Sequence, residues 1–157
     1  FVASYTFWPA SLASSLEYLA FVLWLTAVVL FMALVVYDIR WMLLPNRIVF
    51  PLIGTGAVAV TISSVGSDQP LQTILMALGG LAVAGGIFYI LFQISDGAWI
   101  GGGDVKLGFA IGLLLGSPIL AFLMLFTASM LGLVVAAPGL LLKKSKLSSK
   151  IPFGPFI

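Results

Sequence analysis

Residues 16–37 form an almost unbroken apolar run whose one charged side chain, Glu17, lies at its very start. About 20 such residues carry an α-helix across the hydrocarbon core of a bilayer. No water is available there, so every backbone amide must be bonded within its own segment. Four further runs follow, at about 48–64, 71–94, 104–115 and 119–142. The remaining composition leaves no other class open: the chain is 62% hydrophobic, with seven Lys or Arg and five Asp or Glu, which is that of a multi-span membrane protein. The expected fold is all-α, a polytopic bundle with about five transmembrane helices in a single domain over residues 1–157.

The connections agree with this division. Arg40–Arg47 reads as a polar turn and Gly66–Pro70 as a loop by its turn residues. Ser95–Gly103 is glycine-rich, and Gly116-Ser117-Pro118 closes the short fourth run. Pro51 stands near the start of the second run, where proline is tolerated. With five alternating spans, Arg40, Arg47, Lys106, Lys143, Lys144, Lys146 and Lys150 all fall on one side. The positive-inside rule makes that side cytoplasmic and puts the N-terminus of this chain outside. The basic Lys143–Lys150 segment then meets lipid headgroups. A net charge of +2 is too small to argue for nucleic acid. The chain begins at Phe1 and stops at Ile157, which leaves open whether it is a fragment of a longer protein.

The chain contains no histidine and no cysteine, so hydrolytic chemistry would rest on Asp, Ser, Thr, Tyr or Lys. Ionisable side chains at membrane positions are costly and by default suggest function. Asp38 closes the first run and Asp104 opens the fourth. Two carboxylates that meet form an acid–base pair of the kind that activates water in aspartic proteolysis. Asp104, Gly108, Gly112 and Gly116 recur at i+4 steps and share one helix face. Such a stripe lets a second helix approach closely, within the chain or between two copies as a homo-oligomer. The plainer reading makes Asp104 an N-cap and the stripe mere packing. Gly101, Gly102 and Gly103 weigh against it, since three glycines exceed the needs of one cap and let backbone approach a substrate.

Asp38 is expected at the negative end of its helix dipole and Asp104 at the positive end of its own. On that ground Asp104 is expected to hold the resting charge and act as base, with Asp38 holding a shared proton. The pair would titrate as a unit. The plainer role for Asp38 is an interfacial partner of Arg40 or Arg47. Asp96 reads as a solvated loop acid and Asp68 as a turn residue on the far side. Trp41 and Trp99 suit anchoring at the membrane interface.

These residues carry a resemblance. Tyr37-Asp38-Ile39-Arg40 followed by Leu44-Pro45-Asn46-Arg47-Ile48 resembles the first signature of type IV prepilin and preflagellin peptidases, membrane aspartic peptidases of the GxGD kind. Gly101-Gly102-Gly103-Asp104-Val105-Lys106-Leu107 is similar to their second signature, and Ile151-Pro152-Phe153-Gly154-Pro155-Phe156 to a third block. The resemblance implies an endopeptidase of the bacterial or archaeal cytoplasmic membrane. Such enzymes remove the basic leader of prepilins, pseudopilins or preflagellins on the cytoplasmic side of an apolar helix. It maps the catalytic pair onto Asp38 and Asp104 and needs no metal or organic cofactor. It marks Gly101, Gly102, Gly103, Lys106, Pro45 and Asn46 as residues that contact substrate or support the loops. A basic leader would pass near the loop Ser95–Asp104. Asn46, where many bacterial members carry Asp, is similar to the short preflagellin-type and Tad-type peptidases. Many bacterial members also carry a preceding domain with paired cysteines and methylate the new N-terminus with S-adenosylmethionine. Residues 1–157 contain no such domain, so the resemblance leaves methylation open. It also implies a sixth helix after Ile157.

Two rivals share parts of the pattern. Presenilin-type and signal-peptide-peptidase-type intramembrane proteases pair Tyr-Asp with GxGD, but add a Pro-Ala-Leu motif that is missing here, and the Leu44-Pro45-Asn46 turn favours the prepilin branch. A small proton-coupled transporter would place its acids near the midplane, whereas both acids here sit at one edge. A purely structural subunit would tolerate Asn at both positions.

Overall fold

The computed structural model describes residues 14–141, with side chains described to Val134. Among these residues the chain is helical, with five α-helices and no strand: α1 Ser15–Trp41, α2 Asn46–Val65, α3 Pro70–Ile94, α4 Gly102–Leu115 and α5 Pro118–Leu141. The all-α expectation holds. The helices α1, α2 and α3 are each long and apolar enough to cross a membrane, and the described part of α5 is a further apolar helix. The third signature block and the basic Lys143–Lys150 segment lie outside the described residues.

Local chemistry sets the helix ends. The Ser14 hydroxyl accepts the Glu17 N–H at 3.2 Å, and Glu17 Oε2 accepts the Ser14 N–H at 2.8 Å. This reciprocal pair is a capping box, and it starts α1 one residue ahead of the apolar run. The other end departs from expectation. Asp38 does not terminate α1; the helix runs on to Trp41 and stops where Met42 turns left-handed at φ 49°. The Met42 N–H donates to the Asp38 carbonyl at 2.9 Å. A left-handed turn at a residue with a Cβ costs about 1 kcal/mol, so the stop is a backbone decision that charge placement alone did not reveal. Asn46 and Arg47, expected in the turn, already belong to α2, with Pro45 just before it.

Helix α4 occupies the centre. Its 14 residues span about 21 Å, less than the roughly 30 Å of a hydrocarbon core. It is buried on several sides, at Val105, Leu107, Gly108, Ala110, Ile111 and Gly112, as a helix enclosed by others must be. One core joins Ala27 and Leu34 of α1, Val49 and Leu52 of α2, and Leu107, Ala110 and Ile111 of α4. A second joins Phe88 of α3, Val105 of α4 and Leu125 of α5. Outside these cores, large apolar side chains such as Val29, Met32, Leu75 and Phe122 point outward.

The glycine stripe works inside the chain, between α4 and α3. A Cβ on Gly112 would lie 2.5 Å from the Gly80 carbonyl oxygen, and one on Gly108 would lie 2.9 Å from that of Ala84. Backbones this close leave no room for a side chain. Gly116 is different. A Cβ there would meet nothing within 4 Å; the residue caps α4 at φ 60°, donating to the Gly112 carbonyl at 3.3 Å. Gly116→Ala is therefore expected to cost about 1 kcal/mol through backbone strain alone, read as a small drop in melting temperature in detergent. A loss several-fold larger would mean that the site is packed.

Candidate active site

Asp38 lies in the last turn of α1 on the same buried side as Ala27 and Leu34. It is 5% exposed, among the least accessible polar side chains described. Its carboxyl therefore faces protein and not lipid, as an ionisable group at this depth requires. Asp104 is the third residue of α4, not its N-cap; the helix begins two residues earlier, at Gly102, and Gly101 precedes it. Asp104 Oδ2 accepts the Gly101 N–H at 3.2 Å, so the carboxylate reaches back to bond a free amide at the helix start. The plainer reading thus contains a real interaction, although Asp104 makes it from inside the helix.

The two carboxyls act on each other. Asp104 lies outside the three helices long enough to cross a membrane, and its pKa is pushed from 3.8 up to about 6. Burial is the larger cause, the Asp38 charge the second, and the Gly101 N–H works in the opposite direction. The shift of Asp104 is opposite in sign to what the dipole alone would give. A helix N-terminus favours a carboxylate, but here loss of water and a like charge outweigh it.

The two signature segments are fastened together beside this pair. A Cβ on Gly103 would lie 2.9 Å from Leu44 Cβ, so only glycine lets the start of α4 seat against the α1–α2 turn. Lys106 Nζ donates to Asn46 Oδ1 at 2.8 Å and stands 5.7 Å from the centre of the Phe50 ring. Pro45 begins α2 by offering its carbonyl to the Ile48 and Val49 N–H groups. A Cβ on Gly102 would make only an ordinary contact, 3.8 Å from the Phe92 ring. Gly103 is thus committed to internal packing. Leu44 and Phe50 were missed as site neighbours. A signal for Phe50 was present: it lies four residues after Asn46 and so shares its helix face.

Asp96 stands apart, exposed in the turn after α3 with φ 48°, as a loop acid would. Asp68 is exposed in the loop between α2 and α3, at the opposite end of α2 from Asn46. Trp41 and Trp99 are both largely exposed, as interface anchors must be, and the Arg40 guanidinium lies 5.9 Å from the Trp41 ring centre. Among the described residues no three or more Asp, Glu, His or Cys group as a metal site would require. The chemistry at hand is that of two interacting carboxyls, one of them held protonated above the usual carboxylate range.

Comparison with known proteins agrees with this geometry. The profile of the type IV leader peptidase family matches residues 23–137, which include both aspartates. A prepilin leader peptidase/N-methyltransferase from Bacillus subtilis (strain 168) is 34% identical over 122 residues, covering 78% of this chain and 46% of that protein. A protein of the same name from Aeromonas salmonicida (strain A449) is 29% identical over 126 residues, covering 80% and 42%. The chain therefore spans less than half the length of these curated relatives. No solved structure matches it. The long apolar helices and these relatives together make it a multi-pass membrane protein, and the chain belongs to the type IV leader peptidase family.

Proposed function

We propose that this chain is an integral-membrane aspartic endopeptidase that cleaves the basic leader from prepilin-like substrates. The observation that carries the reading is the juxtaposition of buried Asp38 with Asp104, whose proton affinity Asp38 raises. The relatives are named for prepilin leader cleavage, and the same chemistry is assigned here. Asp38 takes a proton from a water molecule. Asp104 donates its own to the scissile carbonyl oxygen as the water attacks. The resulting diol collapses as Asp38 passes its proton to the departing amine and Asp104 takes one back from a diol hydroxyl, which breaks the C–N bond and frees the leader as a carboxylic acid. The cation distribution supports a cytoplasmic site, on the side where a basic leader waits beside its apolar helix. The neighbouring Ser95–Asp104 loop offers acidic surroundings to that leader.

The test is direct. Purified protein in detergent is mixed with a peptide made of a basic leader, a glycine and an apolar helix, and the product masses are read. A single cut between leader and helix is expected. An intact peptide, or cuts scattered within the helix, would overturn the reading.

The pH dependence follows from the pair. Above its upper pKa both carboxyls are charged and none can donate; below its lower pKa both are neutral and none can accept. A bell-shaped kcat/KM is expected, with its alkaline limb falling from about 6, the value to which Asp104 is pushed in the free protein. The limb belongs to the pair and reports the free enzyme. A rate that climbs steadily from pH 6 to 9 would contradict the assignment of Asp104 as the acid.

A further inference from the structure

We propose that Lys106 is a positioning residue that sets Asp104 against Asp38 by tying the start of α4 to the start of α2 through Asn46. The inference rests on the peptidase reading and assigns a part to a side chain that the acid–base steps do not use. Lys106 is the fifth residue of α4, near the positive end of the helix dipole, where a cation is disfavoured. Its neighbours offset that cost: the ammonium donates to Asn46 Oδ1 at 2.8 Å, across 60 residues of sequence, and faces the Phe50 ring.

The geometry points to a fastener rather than to a charge acting on the dyad. Positions two apart on a helix face nearly opposite ways, so Lys106 and Asp104 leave α4 in different directions. The groups that shift Asp104 are its own burial, Asp38 and the Gly101 N–H. What Lys106 does touch belongs to the segment that follows Asp38 in the chain. Two contacts then bracket Asp104: Gly103 seats on Leu44 on one side, and Lys106 bonds Asn46 on the other. With the second cut, the first still holds the fold together, but α4 can shift at its tip. A displacement of about 1 Å in a catalytic group can cost about 10²-fold in rate.

The experiment has two readouts. The first is leader cleavage by wild type, Lys106→Met, Lys106→Arg, Asn46→Ala, Asn46→Asp and the Lys106→Met/Asn46→Ala double variant. Lys106→Met and Asn46→Ala are each expected to lower kcat about 10-fold to 100-fold with KM within about threefold. Lys106→Arg and Asn46→Asp, which keep a donor and an acceptor, recover most of it. The double variant should be no worse than either single, since both cut one contact. The second readout needs no activity. The chain has no cysteine, so spin labels go only to Arg47→Cys and Gly102→Cys, and dipolar EPR reads the separation of the two helix starts. The distance distribution should broaden in Lys106→Met and narrow again in Lys106→Arg. An unchanged distribution overturns the proposal, as does a raised KM with kcat intact, which would make Lys106 a substrate contact. If wild type cleaves nothing, the peptidase reading fails, and the EPR widths still decide whether Lys106 fixes the tip of α4.

Discussion

Asp104→Asn is expected to lower leader cleavage by about 10²-fold to 10⁴-fold, the range that a positioned acid or base contributes. Asp38→Asn should cost as much. Asparagine matches aspartate in shape and keeps an acceptor oxygen for the Gly101 N–H, so the helix start survives and the loss reports chemistry. The carboxamide cannot take a proton from water at position 38 or give one to the carbonyl oxygen at position 104. Under the proposed mechanism the double variant should be scarcely worse than either single. Asp38→Asn should also relieve Asp104 of a like charge and lower its pKa from about 6, while burial holds it above 3.8. Isotope-edited infrared titration of Asp104 would read that change. Additive losses, or an Asp104 pKa indifferent to position 38, would mean that the carboxyls do not share a site.

The second large effect concerns the fold. Gly112→Val is expected to destabilise the bundle by about 3 kcal/mol, at the upper end of overpacking costs. A side chain there meets the Gly80 carbonyl oxygen at 2.5 Å and Leu81 Cα at 2.6 Å. Both obstacles are backbone of α3, which cannot step aside as a rotamer can. The melting temperature in detergent should fall by roughly 5–10 °C. Gly86→Ala supplies the contrast: nothing lies within 4 Å of a Cβ there, and a helix-interior glycine gains about 0.5–1 kcal/mol on becoming alanine. Equal melting temperatures for the two variants would refute the tight α3–α4 contact. Activity should follow stability at Gly112, because α4 carries Asp104.

Much of this architecture was legible because a membrane leaves hydropathy few alternatives. The runs at 16–37, 48–64 and 71–94 each lie within a long helix, since an apolar stretch of that length needs no tertiary context to declare itself. Their ends were less legible. The extension of α1 past Asp38 depends on a left-handed Met42, a conformation that methionine does not advertise. Asp38 and Asp104 stood out because charge is scarce and costly here. That they interact follows from packing on α4, a helix too short to read as a full span. The upward shift of Asp104 was hidden for the same reason. The dipole is a local property that sequence position reveals, whereas burial and the Asp38 charge come from distant parts of the chain. Likewise the Lys106–Asn46 bond and the Gly103–Leu44 contact join segments some 60 residues apart, and no periodicity encodes such pairings. Gly116 fitted the stripe by spacing, yet it turned out to be a cap because α4 ends there.

The central claim is that Asp38 and Asp104 together cleave a leader from a prepilin-like chain. Its most direct test is the intact mass of such a substrate after co-expression with wild type, Asp38→Asn, Asp104→Asn or Asp96→Asn. Wild type and Asp96→Asn should each shorten the substrate by the mass of its leader, and the other two should leave it whole. Cleavage that survives in Asp38→Asn or Asp104→Asn, or is lost in Asp96→Asn alone, would contradict the account.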